Sequence, residues 1–92
     1  MSAYPFGKGI CGAVTLSGKT IVVPNVKNDP RYLADSQYTK SEIVVPVVAH
    51  QKLIAEIDVS SFFEGAFDDE IRKFLARCSV LVGDYVERHP TT

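Results

Sequence analysis

The sequence predicts an α+β domain in which an antiparallel sheet carries a long C-terminal helix. Three observations carry this reading. A β-branched run from Glu42 to Val48 is followed by a turn and a second strand-like run from Leu53 to Val59, the mark of a hairpin. A capped amphipathic stretch from Asp68 to Arg88 has the period and length of a helix. The chain has 92 residues, 46% of them apolar. That is enough for a single domain over residues 1–92 with one modest core.

The elements follow in order. Gly7-x-Gly9-x-x-Gly12 opens the chain, and residues 10–16 leave room for barely two helical turns before Ser17-Gly18-Lys19, a turn that calls for positive φ at the glycine. Thr20 to Val23 is a short β-branched strand closed by Pro24. Residues 25–40 are polar, carry the turn signal Asn28-Asp29-Pro30, and read as a long loop with one helical turn at 31–35. A loop of that length in a small domain points to function or to poor order.

In the hairpin, Ala49-His50-Gln51-Lys52 forms the turn. Pro46 cannot donate to a ladder, so it predicts an edge, a bulge or a bend. Glu56 and Asp58 alternate with Ile57 and Val59 and therefore share one face of the second strand. The preferred reading of that face is a solvated one. The alternative is a carboxylate at the mouth of a pocket for a small polar ligand. In the C-terminal helix, Asp68 is the cap, and Asp69 and Glu70 suit the positive end. Ile71, Phe74, Leu75, Cys78, Leu81, Val82 and Tyr85 form a stripe expected to pack on the sheet.

Composition excludes several classes. Ten basic and eleven acidic side chains give a net charge of −1, and no basic run argues for nucleic acid or a membrane surface. No apolar run approaches a membrane span, and the N-terminus does not resemble a signal peptide. The two cysteines, Cys11 and Cys78, make neither a disulfide framework nor a zinc pattern. A cytoplasmic setting without metal or cofactor is the expectation.

The glycine spacing matches a dinucleotide fingerprint, but no strand precedes it and Gly18 cuts the following helix short, so that reading is set aside. Cys11 falls in the first turn of the helix with Lys8 nearby, which favours thiolate. It has no histidine partner, however, and free cysteine is among the most buried residue types, so a structural Cys11 is preferred over a reactive one. Cys78 reads as core. Ser60 and Ser61 lack the partners of a serine hydrolase.

The run "FGKGICGAVTLSGKTIVVPNVKNDPRYL", followed by "TKSEIVVPVV", "KLIAEIDVSS" and "GAFDDEIRKFLARCSVLVGDYV", resembles a GAF domain across roughly residues 5–88. The resemblance implies helices on both sides of an antiparallel sheet and a small-molecule sensor module, often dimeric. Full members carry a further helix and strands before the glycine turn, so the resemblance covers about the C-terminal two-thirds of the fold; the expectation is either a truncated member or one completed by another chain, with a homodimer as the expected partner. Within the family, the Ile10-Cys11-Gly12 entry, the Ser41–Val44 strand and the segment 56–61 are similar to free methionine-(R)-sulfoxide reductases. Cys11 then matches one of their cysteines, and Glu42 and Asp58 match acids that hold the sulfoxide. At the position of their catalytic cysteine this chain has Ala34, and where a second strand aspartate is expected it has Ser60.

The expected function is a non-catalytic binding or sensing module, redox-responsive through Cys11. Tyr32 and Tyr38 are expected to wall a ligand pocket, with Glu42 and Asp58 as its polar contacts. The alternatives are a reductase-like thiol oxidoreductase and a structural dimerisation domain.

Overall fold

The computed structural model describes residues 8–32 and 37–89. Among the described residues two α-helices and three strands follow in order: helix α1 (Gly9–Ser17), strands β1 (Ile21–Val23), β2 (Ser41–Ala49) and β3 (Lys52–Ser61), and helix α2 (Asp69–Arg88). The sheet has the order β1-β2-β3 and is antiparallel throughout. This is the α+β arrangement expected from the hairpin and the capped helix.

Side-chain alternation on β2 sends successive residues to opposite layers. Val44 joins Ile10, Val14, Val23 and Val26 in a core on the α1 side. Ile43 and Val45 join Phe67 on the other side, with Ile57, Val59 and Leu75 packed against them. Val14, Val23, Ile43 and Val44 are almost wholly buried, and each such side chain contributes about 1.5–3 kcal/mol relative to exposure. The sheet therefore lies between two helices.

Local chemistry explains the joints. Gly18 adopts φ 69° and its N–H caps α1 on the Val14 carbonyl, as its place in the turn requires. His50 and Gln51 form a two-residue hairpin loop, both at positive φ (51° and 64°), the mirror-image turn that matches strand twist. The strain of two non-glycine residues there is offset by a tie to α2, since His50 N–H donates to Glu87 Oε1 at 2.8 Å. Asp68 accepts from the Ile71 N–H at 2.9 Å and starts α2.

Pro46 sits in the central strand rather than at an edge of the sheet. It pairs with Glu56 on β3, while on its other side β1 has already ended, its last pair being Ile21 with Val44. Its missing N–H is therefore not asked of a β1 ladder. The register shift falls just beyond it, between Val47 and Val48.

The helical turn expected at 31–35 falls mostly on residues 33–36, which lie outside the described residues. Within the described part of the loop a 3-10 turn forms at Val26–Asn28, because the Asn25 side chain accepts from the Lys27 N–H. Arg31 grips Asp29 through two side-chain bonds of 3.0 and 2.6 Å, and those bonds hold the Asp29 carboxyl below its ordinary range.

One expectation is corrected, and it concerns α2. Its sheet-facing surface is made of small residues: Ser79 and Gly83 are the buried positions, flanked by half-buried Leu75, Cys78 and Val86. A Cβ added at Gly83 would run into the Val48 carbonyl oxygen, so glycine is what allows α2 to approach β2 there. Close approach through small side chains leaves the large ones turned away. Phe74, Leu81 and Tyr85 are exposed. Cys78 is half-buried at the margin of this contact rather than sealed in the core.

Candidate functional site

The α1-facing surface of the sheet carries the polar chemistry. Val23 pairs with Glu42, Glu42 with Ser60, Val44 with Asp58, and Pro46 with Glu56. Alternation therefore places Glu42, Glu56 and Asp58 on the same face as Val44, beneath α1. Helix α1 crosses this face with Cys11 and Thr15, one turn apart. Cys11 Sγ donates to Asp58 Oδ2 at 3.2 Å. Thr15 Oγ1 lies 3.0 Å from Glu56 Oε2 and 3.0 Å from the Cys11 carbonyl, so its one proton serves either acceptor. A helical step of four residues thus meets a strand step of two, and two polar rungs dock α1 on β3.

This changes the reading of the strand acids and of the cysteine. Glu56 and Asp58 do not form a merely solvated outer face, because each is engaged from α1. Cys11 is half-buried and polar-bonded rather than sealed in the core.

Nor is Cys11 a thiolate. Burial comes first, then the hydrogen bond to and charge of Asp58, then the charges of Glu56 and Glu42, and together they push the thiol far above its ordinary 9.0. The helix N-terminus and Lys8, which favoured the anion in sequence, are outweighed by burial and by the three carboxylates. In the resting state the pair is a thiol donor on a carboxylate.

The other candidates lie nearby but do not all converge. Glu42 is buried, and its charge reaches Cys11. Tyr32 is half-buried and packs against the α1-side core. Tyr38 instead lines, with Gln37, Lys40 and Phe62, a separate cavity of about 530 Å³ at the end of the sheet. None of the three acids lines that cavity. Ala34 lies outside the described residues. Thr15 was not singled out from the sequence. Its signal is the spacing of Cys11 and Thr15 on a helix set against Glu56 and Asp58 on a strand.

Among the described residues no group of three or more His, Cys, Asp or Glu could hold a metal ion, and no helix is long and apolar enough to cross a membrane.

Known proteins share the fold. The chain is 36% identical over 78 residues to the free methionine-R-sulfoxide reductase of Saccharomyces cerevisiae, covering 84% of this chain and 43% of that protein. Its structure resembles the type II free methionine-R-sulfoxide reductase from Thermoplasma acidophilum, with a TM-score of 0.84, 34% identity, and coverage of 91% of this chain and 60% of that one. It also resembles the Neisseria meningitidis enzyme solved in complex with its substrate, with a TM-score of 0.88, 29% identity, and coverage of 99% and 56%. The chain thus spans about half the length of these relatives. A family model described as the GAF domain matches residues 1–85. The chain belongs to the GAF domain family.

Proposed function

We propose that the chain acts as a free methionine-R-sulfoxide reductase-like oxidoreductase, with Cys11 as its reducing thiol. The observation that carries this reading is the Cys11–Asp58 contact at 3.2 Å, in a chain whose relatives include enzymes of that name. A protonated thiol is a poor nucleophile, but a carboxylate in hydrogen-bond contact can take its proton as the sulfur attacks. In the reading offered here, Cys11 Sγ takes the sulfoxide oxygen, and Asp58 passes the displaced thiol proton to that oxygen. The products are a thioether and a Cys11 sulfenic acid: the substrate sulfur is reduced by two electrons and Cys11 oxidised by two. An external dithiol then restores the thiol, releasing water and becoming a disulfide. Glu42 and Glu56 would hold the substrate's ammonium group beside this pair.

The raised Cys11 thiol and the remoteness of Cys78, the only other cysteine, on the opposite face favour a second reading. The same acidic face would then bind the sulfoxide amino acid without turning it over, as a sensor does. One experiment separates the two. In a thioredoxin-coupled assay with free methionine-R-sulfoxide, the reductase reading expects NADPH consumption that Cys11→Ser abolishes and Asp58→Asn reduces at least tenfold. Absence of turnover above the Cys11→Ser control overturns it, and ligand binding by calorimetry in that case supports the sensor.

A further inference from the structure

Helix α1 has nine residues, and a helix of that length holds its place through its contacts rather than its own propensity. Ile10 and Val14 anchor it in the apolar core. They fix how deep α1 lies, but apolar attraction is non-directional and does not fix where the helix stands along β3. The polar side does. Cys11 and Thr15 are separated by a helical step of four residues, about 6 Å. Asp58 and Glu56 are separated by a strand step of two, about 6.7 Å. Cys11 meets Asp58 while Thr15 meets Glu56, so α1 runs antiparallel to β3 with its two rungs in step.

We propose that Thr15 is a positioning residue: by engaging Glu56 it keeps α1 in the register in which Asp58, and not Glu56, receives the Cys11 proton. The proposal rests on the reading of Cys11 as the reducing thiol with Asp58 as its base, and it adds what selects that base. Two carboxylates stand one strand step apart on one face, and either is a fit acceptor for a thiol above them. Thr15 Oγ1, 3.0 Å from Glu56 Oε2, occupies one. Cys11 Sγ, 3.2 Å from Asp58 Oδ2, is left with the other. A slip of α1 by one strand step would set Cys11 over Glu56 and carry Thr15 off the acid it holds.

The same hydroxyl lies 3.0 Å from the Cys11 carbonyl, so this rung also touches the backbone of the residue that bears the thiol. That second contact is the back-bond a helical threonine often makes on its own. A carboxylate is the stronger acceptor of the two, and the contact to Glu56 is the one that crosses to the strand. The charged groups facing Cys11 are Asp58 and Glu56 from β3 and Glu42 from β2, with Lys8 just before α1. Thr15→Val keeps all of them, so a change it makes in the thiol reports geometry.

Iodoacetamide alkylation at pH 8 without substrate tests this apart from any turnover, with Cys11 and Cys78 followed separately by mass spectrometry. The readout is how far Asp58→Asn accelerates Cys11, because that factor measures how fully the thiol stands on Asp58. Adding Thr15→Val should shrink the factor at least threefold. The Cys78 rate and the circular dichroism spectrum should not change, because Ile10 and Val14 still hold α1 on the sheet. Thr15→Ser, which keeps the hydroxyl, should leave the factor within about twofold of its original size. In a Glu56→Ala background Thr15→Val should no longer alter it, as a residue acting through Glu56 requires. The proposal is overturned by an Asp58→Asn factor indifferent to Thr15→Val, or by no Asp58→Asn acceleration to begin with. A loss that Thr15→Ser shares, a parallel change at Cys78, or a loss that persists in the Glu56→Ala background overturns it equally.

Discussion

Across β2, Val44 enters the layer under α1 while its neighbour Ile43 enters the layer under α2, and the two layers differ in kind. Under α1 the apolar core of Ile10, Val14, Val23 and Val44 is bordered by a strip of hydrogen bonds joining Cys11 and Thr15 to Asp58 and Glu56. Under α2 the contact is made by Leu75, Ser79 and Gly83 on the helix, and large apolar side chains point outward instead. The first layer concentrates charge where a thiol can be held protonated, and the second brings backbones together. The polar contacts and the close backbone packing thus lie on opposite faces of one small sheet.

The largest expected effect tests the α2 side. Phe67 is 7% exposed and Phe74 65%, so the two phenylalanines near the start of α2 should behave oppositely. Phe67→Ala should cost about 3–5 kcal/mol in urea unfolding, and Phe74→Ala should change monomer stability by no more than about 0.5 kcal/mol. Comparable losses would mean that Phe74 is part of the core after all.

Gly83 sharpens the same contrast. Alanine ordinarily stabilises a helix interior by about 1 kcal/mol relative to glycine. Here the new methyl meets the Val48 carbonyl, and a net loss of about 1–3 kcal/mol is expected. A gain in thermal midpoint would show that α2 does not approach β2 so closely. Asp68→Ala, which removes the cap on Ile71 N–H, should cost about 1 kcal/mol by the same assay.

The smallest effect belongs to the α1 side and is read against pH. The folded state holds the Cys11 proton more tightly than the unfolded chain, whose thiol ionises near 9.0. The linked stability is therefore fully present below pH 9 and lost as pH rises beyond it. Unfolding titrations of the wild type and Cys11→Ser should diverge only on that alkaline limb, with the wild type falling more steeply.

Much of this was legible in the sequence. The hairpin, its turn, the Asp68 cap and the shared face of Glu56 and Asp58 follow from alternation and capping chemistry, which act over a few residues. What alternation cannot say is which layer covers a face, so the carboxylates read as solvated until α1 was placed over them. The α2 stripe failed for a related reason. Periodicity finds the most apolar face of a helix, whereas the contact here is set by the smallest, because Ser79 and Gly83 permit close approach. The state of Cys11 was beyond local reading as well, since the groups that raise its thiol lie on β2 and β3, far away in the chain.

The central claim, that the α1 face holds Cys11 as a protonated thiol on Asp58, is tested most directly by alkylation with iodoacetamide across pH, at low micromolar protein. Mass spectrometry can follow Cys11 and Cys78 separately. Both cysteines are half-buried, so exposure alone does not separate them. At pH 8 Cys11 is expected to react at least tenfold more slowly than Cys78, and Asp58→Asn should accelerate Cys11 while leaving Cys78 unchanged. Equal rates in the wild type, or a Cys11 rate indifferent to Asp58→Asn, would contradict it.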